Sequence, residues 1–165
     1  MSYLTPFYLV LQDGRARPYR ALTLYDEPGI PDDSYVLEEW FCPNPLCPCN
    51  EVHLKVFAHH QKTYAVDIRL SLDPQQPITP ILNNEDAAGS GADNPFPVYS
   101  AKLFRLVADY LKNNPDDVER LRQHYHQFRA VAADPTHPCH KMVTYWGKHG
   151  HRSDATFSGS KRRKR

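Results

Sequence analysis

Three of the four cysteines fall within eight residues, Cys42-Pro43-Asn44-Pro45-Leu46-Cys47-Pro48-Cys49, in the spacing Cys-x4-Cys-x-Cys. The fourth, Cys139, lies far along the chain in Thr136-His137-Pro138-Cys139-His140. A disulfide framework would ask three closely packed cysteines to find separate partners when only one lies elsewhere. A tetrahedral metal asks for the opposite, thiolates that converge on one point at about 2.3 Å. Pro43, Pro45 and Pro48 favour convergence, because each fixes its own φ and restricts its neighbour, so the loop has few conformations to lose. The amides that remain, such as those of Leu46, Cys47 and Cys49, are candidates to hydrogen-bond the sulfurs and stabilise their charge.

Soft sulfur donors in tetrahedral geometry suit zinc or an iron–sulfur cluster, and zinc is favoured because the common cluster spacings are missing. Cys42, Cys47 and Cys49 then need a fourth ligand. Cys139 is the favoured choice, with His140, His137 and His53 as alternatives; at about 3.3 Å per residue, His53 would lie roughly 13 Å beyond Cys49 along a strand. Four protein ligands would close the coordination sphere and make the metal structural, whereas three would leave a position open for catalysis.

Other chemistry is less well supported by spacing. His59 and His60 are adjacent and read as turn residues. His124 and His126, two apart on a predicted helix, belong on different faces. His149 and His151 lie in the basic C-terminal stretch. Asp67 faces away from the apolar stripe of its strand and reads as a surface acid. A nucleophilic Cys139 served by His137 or His140 would need a base oriented in space by a third group, which sequence neighbours rarely provide. The chain has no P-loop, Gly-x-Gly-x-x-Gly, Gly-x-Ser-x-Gly or His-Glu-x-x-His pattern.

The elements that must hold the cysteines read as strands in the first half. Phe7-Tyr8-Leu9-Val10-Leu11 is a short apolar run, Tyr19 to Tyr25 alternates, and Pro28-Gly29-Ile30-Pro31-Asp32-Asp33 signals a turn. Ser34 to Phe41 leads into the cysteine loop and Glu51 to Ala58 leads out, so a zinc knuckle would sit at the connection of two neighbouring strands. Lys62 to Leu72 alternates again, with Tyr64, Val66, Ile68 and Leu70 on one side. Residues 73–97, rich in proline and small residues, predict a flexible internal linker.

Beyond it the period changes to helical. Leu103, Leu106, Val107, Tyr110 and Leu111 share one face after a candidate N-cap at Ser100. Asn114-Pro115-Asp116-Asp117 opens a second helix, whose stripe is Val118, Leu121, Tyr125, Phe128 and Ala132. The expected class is α+β: an antiparallel sheet from the N-terminal half covered by two helices from the C-terminal half, forming one domain over residues 1–145.

The 165 residues carry a net charge of +1, which conceals a contrast. Residues 1–140 hold 12 basic and 18 acidic side chains, a net of −6, and residues 141–165 hold 8 basic and one acidic, a net of +7. Residues 146–165 read as a basic disordered tail ending in Lys161-Arg162-Arg163-Lys164-Arg165, suited to nucleic acid or another polyanion, or to solubility alone. No run of about 18 apolar residues is present, so no spanning helix is expected. The first residues lack a basic region ahead of an apolar stretch, which argues against a secretory signal.

The segment Trp40-Phe41-Cys42-Pro43-Asn44-Pro45-Leu46-Cys47-Pro48-Cys49-Asn50-Glu51-Val52, with Leu111 to Arg129, resembles a group of uncharacterised bacterial proteins that share a Cys-x4-Cys-x-Cys run followed by a strand. Many of them end in a SEC-C motif, a small cysteine-rich zinc knuckle. The resemblance implies metal binding and a bacterial cytosolic setting. Residues 141–165 contain no cysteine, so the SEC-C knuckle itself is missing here. The resulting expectation is a zinc-binding protein acting as a binding or interaction module, with a metal-dependent enzyme as the rival.

Overall fold

The computed structural model describes residues 2–11, 20–59, 61, 63–83 and 96–151. Residues 84–95 of the expected linker and the basic run Lys161–Arg165 lie outside the described residues. The class is α+β. A six-stranded antiparallel sheet comprises β1 (Thr5–Pro6), β2 (Arg20–Leu24), β3 (Asp33–Phe41), β4 (Glu51–Ala58), β5 (Val66–Ser71) and β6 (Ile81–Leu82). Helices α1 (Ser100–Asn113), α2 (Pro115–Ala133) and α3 (His140–His149) follow. The hydrogen-bonded order is β1-β3-β4-β5-β6, with β2 also on β3, so β1 and β2 share one edge of that strand.

Alternation dictates the two faces of the sheet. Tyr35, Leu37 and Phe41 on β3, Val52, Leu54 and Val56 on β4, and Val66, Ile68 and Leu70 on β5 are buried. Against them pack Leu103, Val107 and Leu111 of α1, Val118, Leu121 and Phe128 of α2, and Val143 of α3. The opposite face carries Glu38 and Trp40 of β3, and His53 and Lys55 of β4, each half-buried.

Phe7–Val10 is a 3-10 helix and not the strand expected. Phe7, Leu9 and Val10 are all buried, and a strand would turn Val10 away from Leu9. Pro6, which has no amide hydrogen, ends β1 just before it. Two strand residues, Ile81 and Leu82, pair with Arg69 and Ile68 inside the stretch read as linker. Helix α3 was also not anticipated, and it carries regular structure past residue 145 to His149, where Gly150 ends it with φ of 75°.

Asn114 joins α1 to α2, but its side chain does not cap α2; Nδ2 donates back to the Tyr110 carbonyl in the last turn of α1 at 2.7 Å. Ser100 is the first helical residue and Tyr99 stands at the cap. Asp67 is buried, not a surface acid: its register places it opposite Lys55 of β4, with Oδ1 3.6 Å from His53 Nδ1. Among the described residues no helix is long and apolar enough to cross a membrane.

Candidate metal centre

The connection from β3 to β4 is the cysteine loop, Cys42 to Asn50. The Sγ atoms of Cys42, Cys47 and Cys49 all lie within 4.8 Å of one another, a group able to hold a metal ion. Cys47 and Cys49 are closest, at 3.0 Å, too long for a disulfide bond of about 2.05 Å. Around a tetrahedral zinc with bonds of about 2.3 Å, sulfurs stand roughly 3.7 Å apart. The Cys47–Cys49 pair is closer than that spacing, and all three sulfurs stay within 4.8 Å of one another. All three cysteines are partly exposed, and Leu46 at the tip of the loop is 90% exposed.

Local hydrogen bonds shape the loop. Asn44 takes the Leu46 amide on its side-chain oxygen at 3.0 Å and the Cys47 amide on its carbonyl at 3.1 Å. Those two amides therefore serve the turn instead of the sulfurs. Hydrogen bonds from the side chain and the backbone amide of Cys49 hold the Cys47 thiol below its usual range. Burial, with the neighbouring thiols of Cys47 and Cys42, pushes Cys49 up to about 12, against the pull of the Arg129 guanidinium.

Helix α2 clamps the loop through two residues one turn apart. Arg129 donates to the carbonyls of Asn44, Cys47 and Cys49, the last two at 3.1 Å, and to the Cys49 sulfur at 3.1 Å. The Tyr125 hydroxyl donates to the Cys49 carbonyl at 2.7 Å, and the guanidinium lies 5.2 Å from the Tyr125 ring centroid. From the other side α3 presses Gly147 against the loop: a Cβ there would stand 2.7 Å from Pro43 Cγ. Among the described residues Arg129 places a full positive charge directly on a sulfur, which offsets part of the charge of three thiolates.

Sequence reasoning missed this clamp. Its only sequence signal was the i, i+4 pairing of Tyr125 and Arg129 at the end of an otherwise apolar stripe.

None of the residues expected as a fourth ligand, Cys139, His140, His137 or His53, belongs to the group of three sulfurs. Cys139 stands outside the sulfur group, buried in the core at the start of α3, where burial pushes its thiol up. His137 Nδ1 accepts the Cys139 amide at 3.1 Å. His140 Nδ1 donates to the Val131 carbonyl at 3.0 Å, and its Nε2 faces the Thr144 hydroxyl at 3.3 Å. His53 sits on the far face of the sheet between Glu51 and Asp67.

His124 and His126 part as expected. His124 turns inward, stacks on Phe7 at 4.4 Å and bonds buried Glu39 at 2.7 Å, while His126 is exposed. Comparison with models of known protein families, with curated proteins and with solved structures finds no match to this chain.

Proposed function

We propose that this is a zinc-binding protein in which Cys42, Cys47 and Cys49, completed by a fourth protein donor, hold a structural ion, and that the fold it supports acts as a binding or interaction module. The observation that carries this reading is the gathering of three sulfurs within 4.8 Å under a guanidinium that also grips three carbonyls of the same loop. Thiolate donors select zinc over harder ions such as magnesium or calcium. Three thiolates also weaken the ion as a Lewis acid, which supports a structural over a catalytic role. A complete structural site contributes on the order of 10 kcal/mol in small peptides.

The rival reading, a catalytic zinc with an open position, draws on the group's three members and partial exposure. X-ray absorption of the zinc form separates the two, since a fourth protein donor would exclude the catalytic reading. The bacterial resemblance and the absence of a membrane-crossing helix among the described residues support a cytoplasmic setting. The basic end, Lys161 to Arg165, supports contact with nucleic acid or another polyanion.

Elemental analysis of untagged protein tests the main reading: about one zinc per chain is expected, falling well below that in Cys47→Ser together with a loss of about 5 °C or more in Tm. Metal-free protein with an unchanged Tm in that variant would overturn the structural role.

A further inference from the structure

On the face of the sheet away from α1 and α2, at the end nearest the cysteine loop, lies a groove of ≈ 550 Å³. Tyr3 and Leu4 line it ahead of β1, Trp40 and Lys55 on the sheet, and Trp146 on α3. A volume of this order suits a small molecule. The walls are aromatic. Trp40 and Trp146 meet edge to face with centroids 5.6 Å apart, and the Tyr3 amide donates to the Gly147 carbonyl at 2.9 Å, holding the N-terminal wall to the helix.

One cation, Lys55, stands at this wall without a contacting carboxylate among the described residues. The Trp40 indole nitrogen is buried and has no hydrogen-bond partner among the described residues. The Lys55 ammonium lies 4.0 Å from the Trp40 ring centroid and 4.9 Å from that of Tyr64, and makes no ion pair among the described residues. Glu38 and Asp67 are its cross-strand neighbours and act on it only at longer range. Burial holds this ammonium below its usual pKa, against the opposing pull of Asp67 and Glu38. An ammonium can only donate, so the group that satisfies it is an acceptor, and an anionic one gains most.

We propose that this groove binds a small organic oxyanion, a carboxylate or phosphate carried on a flat aromatic ring, with Lys55 serving the anionic group and Trp40 and Trp146 flanking the ring. The site is separate from the cysteine cluster and its occupancy needs no metal.

The chain contains two tryptophans and both line the groove, so their indole N–H resonances report on it alone. Full-length ¹⁵N-labelled protein is titrated with 2-naphthoate, 2-naphthyl phosphate and the uncharged 2-naphthalenemethanol. Saturable shifts of both indole signals are expected with at least one of the two acids, with binding about ten-fold or more tighter than the alcohol. The stronger acid identifies the anionic group. Lys55→Met should bring the acids down to the level of the alcohol while the rest of the spectrum stays dispersed. An alcohol that binds as well as both acids, or indole signals that do not saturate with either acid, would overturn the proposal. Should Lys55→Met fail to fold, the acid-against-alcohol comparison on the unaltered chain decides the matter by itself.

Discussion

At the scale of single residues, Arg129 does more for the cysteine loop than any residue within the loop. One guanidinium bonds three carbonyls and a sulfur, so it orients the loop and lowers the cost of gathering thiolates. Replacing such a partner of metal ligands typically costs 10–100-fold in affinity. Arg129→Gln should therefore weaken zinc binding by about that factor, as read by competition with a chromophoric chelator, with far-ultraviolet circular dichroism unchanged. Arg129→Lys should recover only part of the loss, because an ammonium cannot span the same fork of acceptors.

The cysteine spacing and its prolines were sufficient to identify the loop and its place between two strands. They could not reveal the guanidinium, which comes from a helix 80 residues away from Cys49. Nor could spacing show that Cys139 turns into the core, that His137 Nδ1 takes the Cys139 amide, and that both ring nitrogens of His140 meet neighbouring backbone and hydroxyl groups. Those are matters of tertiary placement.

At the scale of elements, alternation made β3, β4 and β5 legible, and the Asn-Pro-Asp-Asp start made α2 legible. Residues with no clean period were lost: the four-residue 3-10 helix, the two-residue β6, and α3, whose histidines, lysines and central glycine mask its apolar face. That glycine is required by packing. Gly147→Ala would gain helix propensity of about 1 kcal/mol, yet its new methyl would meet the Pro43 ring at 2.7 Å. A net loss of about 1–2 kcal/mol is expected from overpacking, seen as a lower midpoint in urea.

A second junction ties β2 to the helices. Asp117 of α2 accepts from Arg20 of β2 and from the Tyr110 hydroxyl of α1. Burial works to raise its pKa, but the guanidinium and the hydroxyl more than offset this and hold it below the usual carboxylate range. A carboxyl depressed on folding adds stability that is present above its unfolded pKa and lost as pH falls through the folded value. Asp117→Asn should cost about 1–3 kcal/mol at neutral pH. The difference from the unaltered chain should shrink below about pH 4, as measured by urea melts across the acid range.

At the scale of the whole molecule, charge is divided between an acidic body and a basic end. Removing residues 161–165 takes the net charge from +1 to −4. If all five charges meet phosphates, the slope of log K against log salt for duplex DNA should flatten by about 4 to 5, as followed by fluorescence anisotropy. A slope that does not change would place any DNA contact elsewhere.

The composite edge of β3 has a consequence for association between copies. β2 pairs residues 33 to 37 and β1 pairs residues 40 and 41, so an approaching foreign strand meets two short, offset segments with Glu38 and Glu39 at the break. The opposite border ends in the two-residue β6, directly preceded by Pro80, which has no amide to offer. Among the described residues neither side presents a long, continuous template for strand addition. Stacking of this protein into cross-β fibres would have to begin by undoing one of those borders.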